Sequence, residues 1–387
     1  MTGVSASAFG GPHSPVDPWS DDVLRSPFRT YAELRDAGPA VWLDRYDLVA
    51  IPRFAEVKSA LANWHAFSSA SGAAVEPEVN AVVSRGVLGT DPPELAPMRE
   101  RISRDLTPRR VAARSELIRS TAEAAVTQAL ARSEIDAVGE LAGPYVASLV
   151  GSLLELPGSA VADLPSLSAT ANNLFGPASD RQREGLEAFA TIGSRAAQFA
   201  VQRVPAGATE QTIGEKIEDL GIYMFPGVET IIQALTSALY LFARHPEQWD
   251  LLREDPSRIP DAISEALRLH SPIRHFTRMT TRPTDVGTVT VPEGTRVLIM
   301  YGSANRDERN FPDPDIFNIT REPSQNMAFG HGAHHCVGKN LAHREIHTIL
   351  ELLLPQVRRI TLREEPRWGT NLTVHGLERL DIAFERD

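Results

Sequence analysis

The chain has 387 residues, enough for one large fold or for two or three average domains. Hydrophobic residues make up 42% and charged residues 23%, the balance of a globular protein with a sizeable core. Net charge is 39 minus 50, or −11, which argues against nucleic acid as a partner. Residues 1–20 are rich in Ser, Gly and Pro and have no basic region followed by an apolar run, so neither a signal peptide nor an anchor is expected. They read as a flexible arm, with residues 21–387 as a single domain.

Phe28 to Ala37 predicts a short helix ending at Gly38-Pro39. Two apolar runs, 40–43 and 47–51, bracket Asp44-Arg45-Tyr46 and predict a hairpin, followed by a helix over 53–62. Ser68 to Thr90 shows neither period, and loops this long inside a compact domain usually serve function. Its charges are Glu76, Glu78 and Arg85. Asp91-Pro92-Pro93-Glu94 then opens a helix, with proline and acids in its first turn. From Pro97 to Arg110, arginines 99, 101, 104, 109 and 110 stand against Glu100 and Asp105, a local balance of +3 in an acidic chain. Both a solvated helix face and a docking surface fit that run. Helical stretches are expected over 111–154, 158–175 and 181–204, then a long central helix over 213–244. Within it, 220–243 carries one charge, Glu229, and is long enough to span a bilayer. Pro226, Gly227 and Glu229 at its middle favour a helix buried on all sides in a soluble, cytoplasmic protein without membrane contact. Ile273 to Met279 predicts a strand, and 286–295 a hairpin.

Cys336 is the only cysteine, so it has no intrachain disulfide partner and belongs to no multi-cysteine cluster. Glycines at 330, 332 and 338 frame it, and 341–350 reads as a helix that would place the thiol near backbone N–H groups. A lone cysteine is ordinarily a small buried hydrophobe. The glycine frame and His334 argue otherwise. The stretch Phe329-Gly330-His331-Gly332-Ala333-His334-His335-Cys336-Val337-Gly338 closely resembles the haem-binding signature of bacterial cytochromes P450, and the resemblance covers nearly the whole chain.

That resemblance implies a mainly α fold with small β-sheets and haem b between the central helix and the cysteine helix. It implies Cys336 as axial thiolate and metal ligand, a role that favours O–O cleavage. Phe329 and Gly330 would lie beside the ligand. His334, Arg278 and Arg99 would meet the propionates. Leu95 stands where the family usually has a histidine, so one such contact is missing. Phe225-Pro226-Gly227-Val228-Glu229-Thr230 is similar to the family's oxygen-binding stretch, with Glu229 and Thr230 as the acid–alcohol pair that delivers protons. Pro226 departs from the pattern and predicts a kink. Glu265 and Arg268, with Arg321, match the family's structural ion pair. Glu76, Phe175, Phe225, Val228, Ile273, Phe276 and Leu372 are the expected substrate contacts; His275 reads more readily as structural. The segment before the central helix is shorter than usual by about a helix and loop.

By the same resemblance the activity is monooxygenation: one oxygen atom from O2 enters a small-molecule substrate. Electrons would come from NAD(P)H through a ferredoxin reductase and a ferredoxin docking on the arginine-rich run, and the enzyme would be a monomer. Oxidative coupling of a secondary metabolite, such as a cyclic dipeptide or an aromatic compound, is the alternative. A haem carrier without turnover is disfavoured by the intact Glu229-Thr230 pair. Several stretches, including 173–177 and 302–307, are similar to P450s that oxidise small aromatics such as para-substituted benzoates. The covering loop holds Glu76 and no base over 70–77, which points to a neutral, mostly apolar substrate.

Overall fold

The computed structural model describes residues 6–83, 86–322 and 325–386. Arg85 lies outside these residues. Helices form the bulk, and a mixed six-stranded sheet sits at one side. Its strand order is His13–Ser14, Val41–Leu43, Leu48–Ile51, Arg296–Ile299, Phe276–Thr280, Phe67–Ser68. Val41–Leu43 and Leu48–Ile51 pair antiparallel as the expected hairpin. Every residue in both strands is buried, because helices and loops cover both faces. A three-stranded sheet joins Arg359–Leu362 and Asp381–Glu385 to Ile135–Asp136.

The loose arm expected of residues 1–20 is not what residues 6–20 form. His13–Ser14 pairs in parallel with Trp42–Leu43. Phe9 and Trp19 are buried, and Trp19 Nε1 donates to Leu372 O at 3.0 Å. Two large aromatics in a short polar segment supply enough apolar area to pin it.

Helix Phe28–Ala37 has its expected ends, and Phe54–Ala62 begins one residue late. The loop over 68–90 contains a short helix, Pro77–Val83, started by a proline in its first turn. The stretch expected as helix over 111–154 is interrupted. Ser115–Leu130 ends before the strand Ile135–Asp136, and the chain re-enters through a π-helical turn, Ala137–Ala142, into Gly143–Leu153. Helix Leu164–Ala171 and the 3-10 turn Asn172–Phe175 pack against helix Asp180–Val201; we term them the lid for their place over residues 225–228. A four-residue turn, 176–179, leads to helix Asp180–Val201, and eight residues, 202–209, lead directly to the next helix.

The single central helix expected over 213–244 is two helices, Glu210–Met224 and Glu229–Arg244, with a break at 225–228. Pro226 has no N–H and its ring clashes with the carbonyl four residues back, which accounts for the break. Glu229–Arg244 is buried on nearly every side, as its composition predicts. Among the described residues no single helix is long and apolar enough to cross a membrane.

Candidate active site

Cys336 sits between the 3-10 turn Gly332–His334 and helix Lys339–Leu353. Its backbone N–H donates to Phe329 O at 2.9 Å, closing the loop. Gly330 and Gly332 have φ of 68° and 69°, the left-handed region that favours glycine. At Gly332 a Cβ would lie 2.3 Å from Leu61 O, so the loop packs against helix Phe54–Ala62 only without a side chain there. The Cys336 side chain is accessible, yet protein surrounds it closely enough that burial pushes the thiol up. The accessible surface therefore lies on an inner wall. The Gly338 and Lys339 N–H groups and the Arg99 and Lys339 charges pull the other way. A coordinated cation would tip this balance to thiolate outright.

Two guanidiniums without a carboxylate partner among the described residues act on the cysteine loop, Arg99 on the thiol and both on His334. Arg99 is half-buried, donates to His335 O at 2.7 Å, and feels the charge of Cys336. Arg278, on strand Phe276–Thr280, is buried and donates to Thr277 O at 2.7 Å. Both act electrostatically on His334, whose imidazole burial holds below its ordinary value. His334 Nε2 lacks a hydrogen-bond partner; Asp91 Oδ1, at 3.8 Å, is within ion-pair but not hydrogen-bond reach. A soft sulfur donor, two uncompensated guanidiniums and one orphaned imidazole nitrogen suit a metal-centred ligand that carries two carboxylates. Leu95 is buried in the first turn of its helix.

The chain matches the Cytochrome P450 family profile over residues 197–367. It is 31% identical to cytochrome P450 CYP199A2 of Rhodopseudomonas palustris, over 99% of this chain and 97% of that protein. The chain belongs to the cytochrome P450 family. It is also 29% identical to beta-dihydromenaquinone-9 omega-hydroxylase of Mycobacterium bovis, over 95% of this chain and 78% of that protein. P450BioI, solved with an acyl carrier protein, shares the fold at TM-score 0.85 and 22% identity, over 94% of this chain and all of that one. The family cofactor is haem b, and the donor set around Cys336 fits it.

In this P450 the ion pair expected of Glu265 and Arg268 is bidentate, at 2.9 and 2.7 Å, and Arg321 adds a third contact at 3.1 Å. All three hold the segment leading to the cysteine loop: Arg268 also donates to Asn305 O and Pro314 O.

The acid and the alcohol part company at the helix break. Thr230 Oγ1 donates to Pro226 O at 2.7 Å. Glu229 is buried, and its Oε1 accepts from Gln233 Nε2 at 2.8 Å. Burial pushes the Glu229 carboxyl up to about 8, with the Gln233 bond offsetting it in part. Glu229 and Gln233 border a cleft of about 1030 Å³ between helix Gly143–Leu153, the lid helix and the C-terminal segment 369–378. Cys336, Thr230, Phe225 and Phe276 do not border it.

The expected substrate contacts form two groups. Phe175 stacks on Phe225 at 6.4 Å and meets Phe276 edge-on at 5.0 Å, while Phe189 adds an edge to Phe225. Val228, in the break, is fully buried. Leu372 packs against Gly176, and Ile273 bridges Val374. Glu76 joins neither group: its Oε1 accepts from Ala178 N at 2.9 Å, clasping the covering loop to the lid turn. Glu78 is exposed. His275 is buried edge-on to Trp19, and burial lowers it to about 3, so it is a neutral structural residue.

Four residues with roles here escape a reading of motifs. Ser168, Gln233, Asp91 and Arg296 act across long sequence separations. Asp91 Oδ1 accepts from Ser69 N at 2.9 Å and holds the covering loop at its start. Arg296 donates to Gly72 O, Ala74 O and Ser71 O from beneath that loop. Gln233 lies four residues after Glu229, a helical spacing that could have flagged it.

Proposed function

We propose that this P450 is a ferredoxin-dependent monooxygenase that places one oxygen atom of O2 into a small, rigid, mostly apolar substrate. The observation that carries the reading is the adjacency of an aromatic box to the helix break that bears Thr230 and Glu229. Phe175, Phe225 and Phe276 converge, and Phe225 itself belongs to the break that positions Thr230 and Glu229. Haem, when bound through Cys336, supplies the activation of O2. Arg99, Arg278 and His334 would hold its carboxylates and so fix its plane.

The remaining chemistry falls to side chains. With its own proton engaged on Pro226 O, the Thr230 hydroxyl turns its lone pairs outward and can accept from a water or protonated oxygen. Glu229, kept protonated near neutral pH, borders the cleft that Thr230 does not, so water relaying from the cleft would carry its proton to the hydroxyl. The aromatic box excludes bulk water and orients an apolar substrate by shape. Arg296 alters the expectation about substrate charge: it places a positive charge beside Glu76, so the loop is not the purely acidic field that its own residues suggest.

The test is a spectral panel on the haem-loaded protein. Reduced protein with CO should absorb at the red-shifted position thiolate gives, and Cys336→Ala should lose that band. Neutral rigid aromatics and cyclic dipeptides should give type I Soret shifts, and the tightest binder should yield a product carrying one oxygen from O2 when ferredoxin, reductase and NAD(P)H are supplied. A mutant that keeps the band, or a dimerised product without added oxygen, overturns the assignment of ligand or of reaction.

A further inference from the structure

In an unbroken helix the N–H of Glu229 would donate to the carbonyl of Phe225, four residues back. Here a side chain from another element stands between them. Ser168, on the lid helix Leu164–Ala171, donates its hydroxyl proton to Phe225 O at 2.9 Å and accepts from Glu229 N at 3.2 Å. Ser168 is fully buried, so no water competes at its oxygen. One hydroxyl thus gives the Glu229 N–H its acceptor and the Phe225 carbonyl its shorter bond, the other being from Val228 N at 3.3 Å, so neither is left as a buried orphan.

The lid element is in turn tied to the covering loop and to the C-terminal segment. Phe175, at its C-terminal end, accepts from Val75 N at 3.1 Å, and the following turn is clasped by Glu76 through Ala178 N. Asn173 Oδ1 accepts from Leu372 N at 2.8 Å, joining the lid to the C-terminal segment.

We propose that Ser168 is a positioning residue that stands in for the missing helical hydrogen bond and so makes the geometry of Glu229 and Thr230 depend on a closed lid. When the lid helix lifts, the Glu229 N–H loses its partner, the Phe225 carbonyl keeps only the longer bond from Val228 N, and the break relaxes. When it closes, the pair is set. The acid–alcohol reading above is needed only for the catalytic consequence; the coupling itself is a statement about backbone opening.

Hydrogen–deuterium exchange on the haem-loaded protein tests the coupling without turnover. In a peptide covering 225–232, Ser168→Ala should speed exchange on the order of tenfold, the size that one lost buried hydrogen bond gives, while Ser168→Thr, which keeps the hydroxyl, should stay near wild type. Glu76→Ala, which releases the lid clasp, should speed exchange in the same peptide with Ser168 present and add nothing in the Ser168→Ala background. In turnover, Ser168→Ala should send a larger share of NADPH electrons to hydrogen peroxide, and Ser168→Thr should restore the share. Unchanged exchange in Ser168→Ala, equal Glu76→Ala effects in both backgrounds, or faster exchange with an unchanged peroxide share each overturn the proposal. Should Ser168→Ala not accumulate as folded protein, Ser168→Cys, with a weaker hydrogen-bonding thiol, carries the same comparison. Failure of the monooxygenase reading shows separately, in the CO band and the product.

Discussion

Glu229 is the residue whose ionisation has the widest reach. Its carboxyl has an ordinary value of 4.5 and is pushed up to about 8 by burial. Between those two values the folded protein holds a proton that the unfolded chain has released, so stability declines as pH rises through that window. Glu345, buried in the cysteine helix and also pushed up to about 8 by burial, adds an effect of the same sign. Glu229→Gln removes one of the two. Its melting temperature relative to wild type should therefore climb from pH 5 to about pH 8 and level off above it, measured calorimetrically on haem-loaded protein; a constant difference would mean that Glu229 is ionised throughout. If that carboxyl is also the proton source in turnover, as proposed, a second pH dependence is expected. The wild-type peroxide share should rise as pH passes about 8, while Glu229→Gln shows a high share with no inflection there. The acid and the alcohol were legible through the family resemblance of a local run, Gly227-Val228-Glu229-Thr230. Their orientation was not: consecutive helical residues sit about 100° apart, and only the packing of the lid helix decides which faces the cleft.

At the scale of elements, what could be read was what is local. Helix Phe28–Ala37, the hairpin of Val41–Leu43 and Leu48–Ile51, and the glycine-framed cysteine loop follow from caps, turns and alternation within about ten residues. The arm escaped because a Ser-, Gly- and Pro-rich segment says nothing about the surface that Phe9 and Trp19 find. The roles of Ser168 and Arg296 escaped because their partners are decided by tertiary packing. Pro226 lies between these cases: it predicts a kink, and the structure shows a full break whose freed groups are met from outside the helix. Pro226→Ala restores a donor and removes a clash whose cost in a helix interior is about 3 kcal/mol. If the proline causes the break, the variant should melt higher and coupling of NADPH to product should fall as Thr230 shifts with the rejoined helix. A lower melting temperature would show that packing of Phe225 and Val228 holds the break by itself.

For the molecule as a whole, the charge distribution makes a testable statement about how an electron donor would dock. The chain carries −11 overall, yet its local excess of arginine lies beside the cysteine helix: Asn340 Nδ2 donates to Leu106 O at 3.3 Å, joining that helix to the 104–110 segment. The five arginines expected to act together divide into three roles. Arg99 faces Cys336. Arg101 is ion-paired with Glu218 and Asp219 on helix Glu210–Met224 and is spent there. Arg104, Arg109 and Arg110 are exposed, as is Lys339. These four form a basic surface on an acidic protein, and an acidic electron donor would be steered to it and oriented over the cysteine helix. Arg109→Glu with Arg110→Glu reverses part of that field without touching the site. Reduction by an acidic ferredoxin, followed by stopped-flow absorbance under CO, should slow on the order of tenfold at low ionic strength. The deficit should shrink as salt rises, since exposed charges are screened over roughly 10 Å at 0.1 M. Reduction by dithionite, which needs no docked protein, should match wild type. A slowing that persists unchanged at high salt, or that appears equally with dithionite, would place the effect in the haem site and remove the basic surface from the path of electrons.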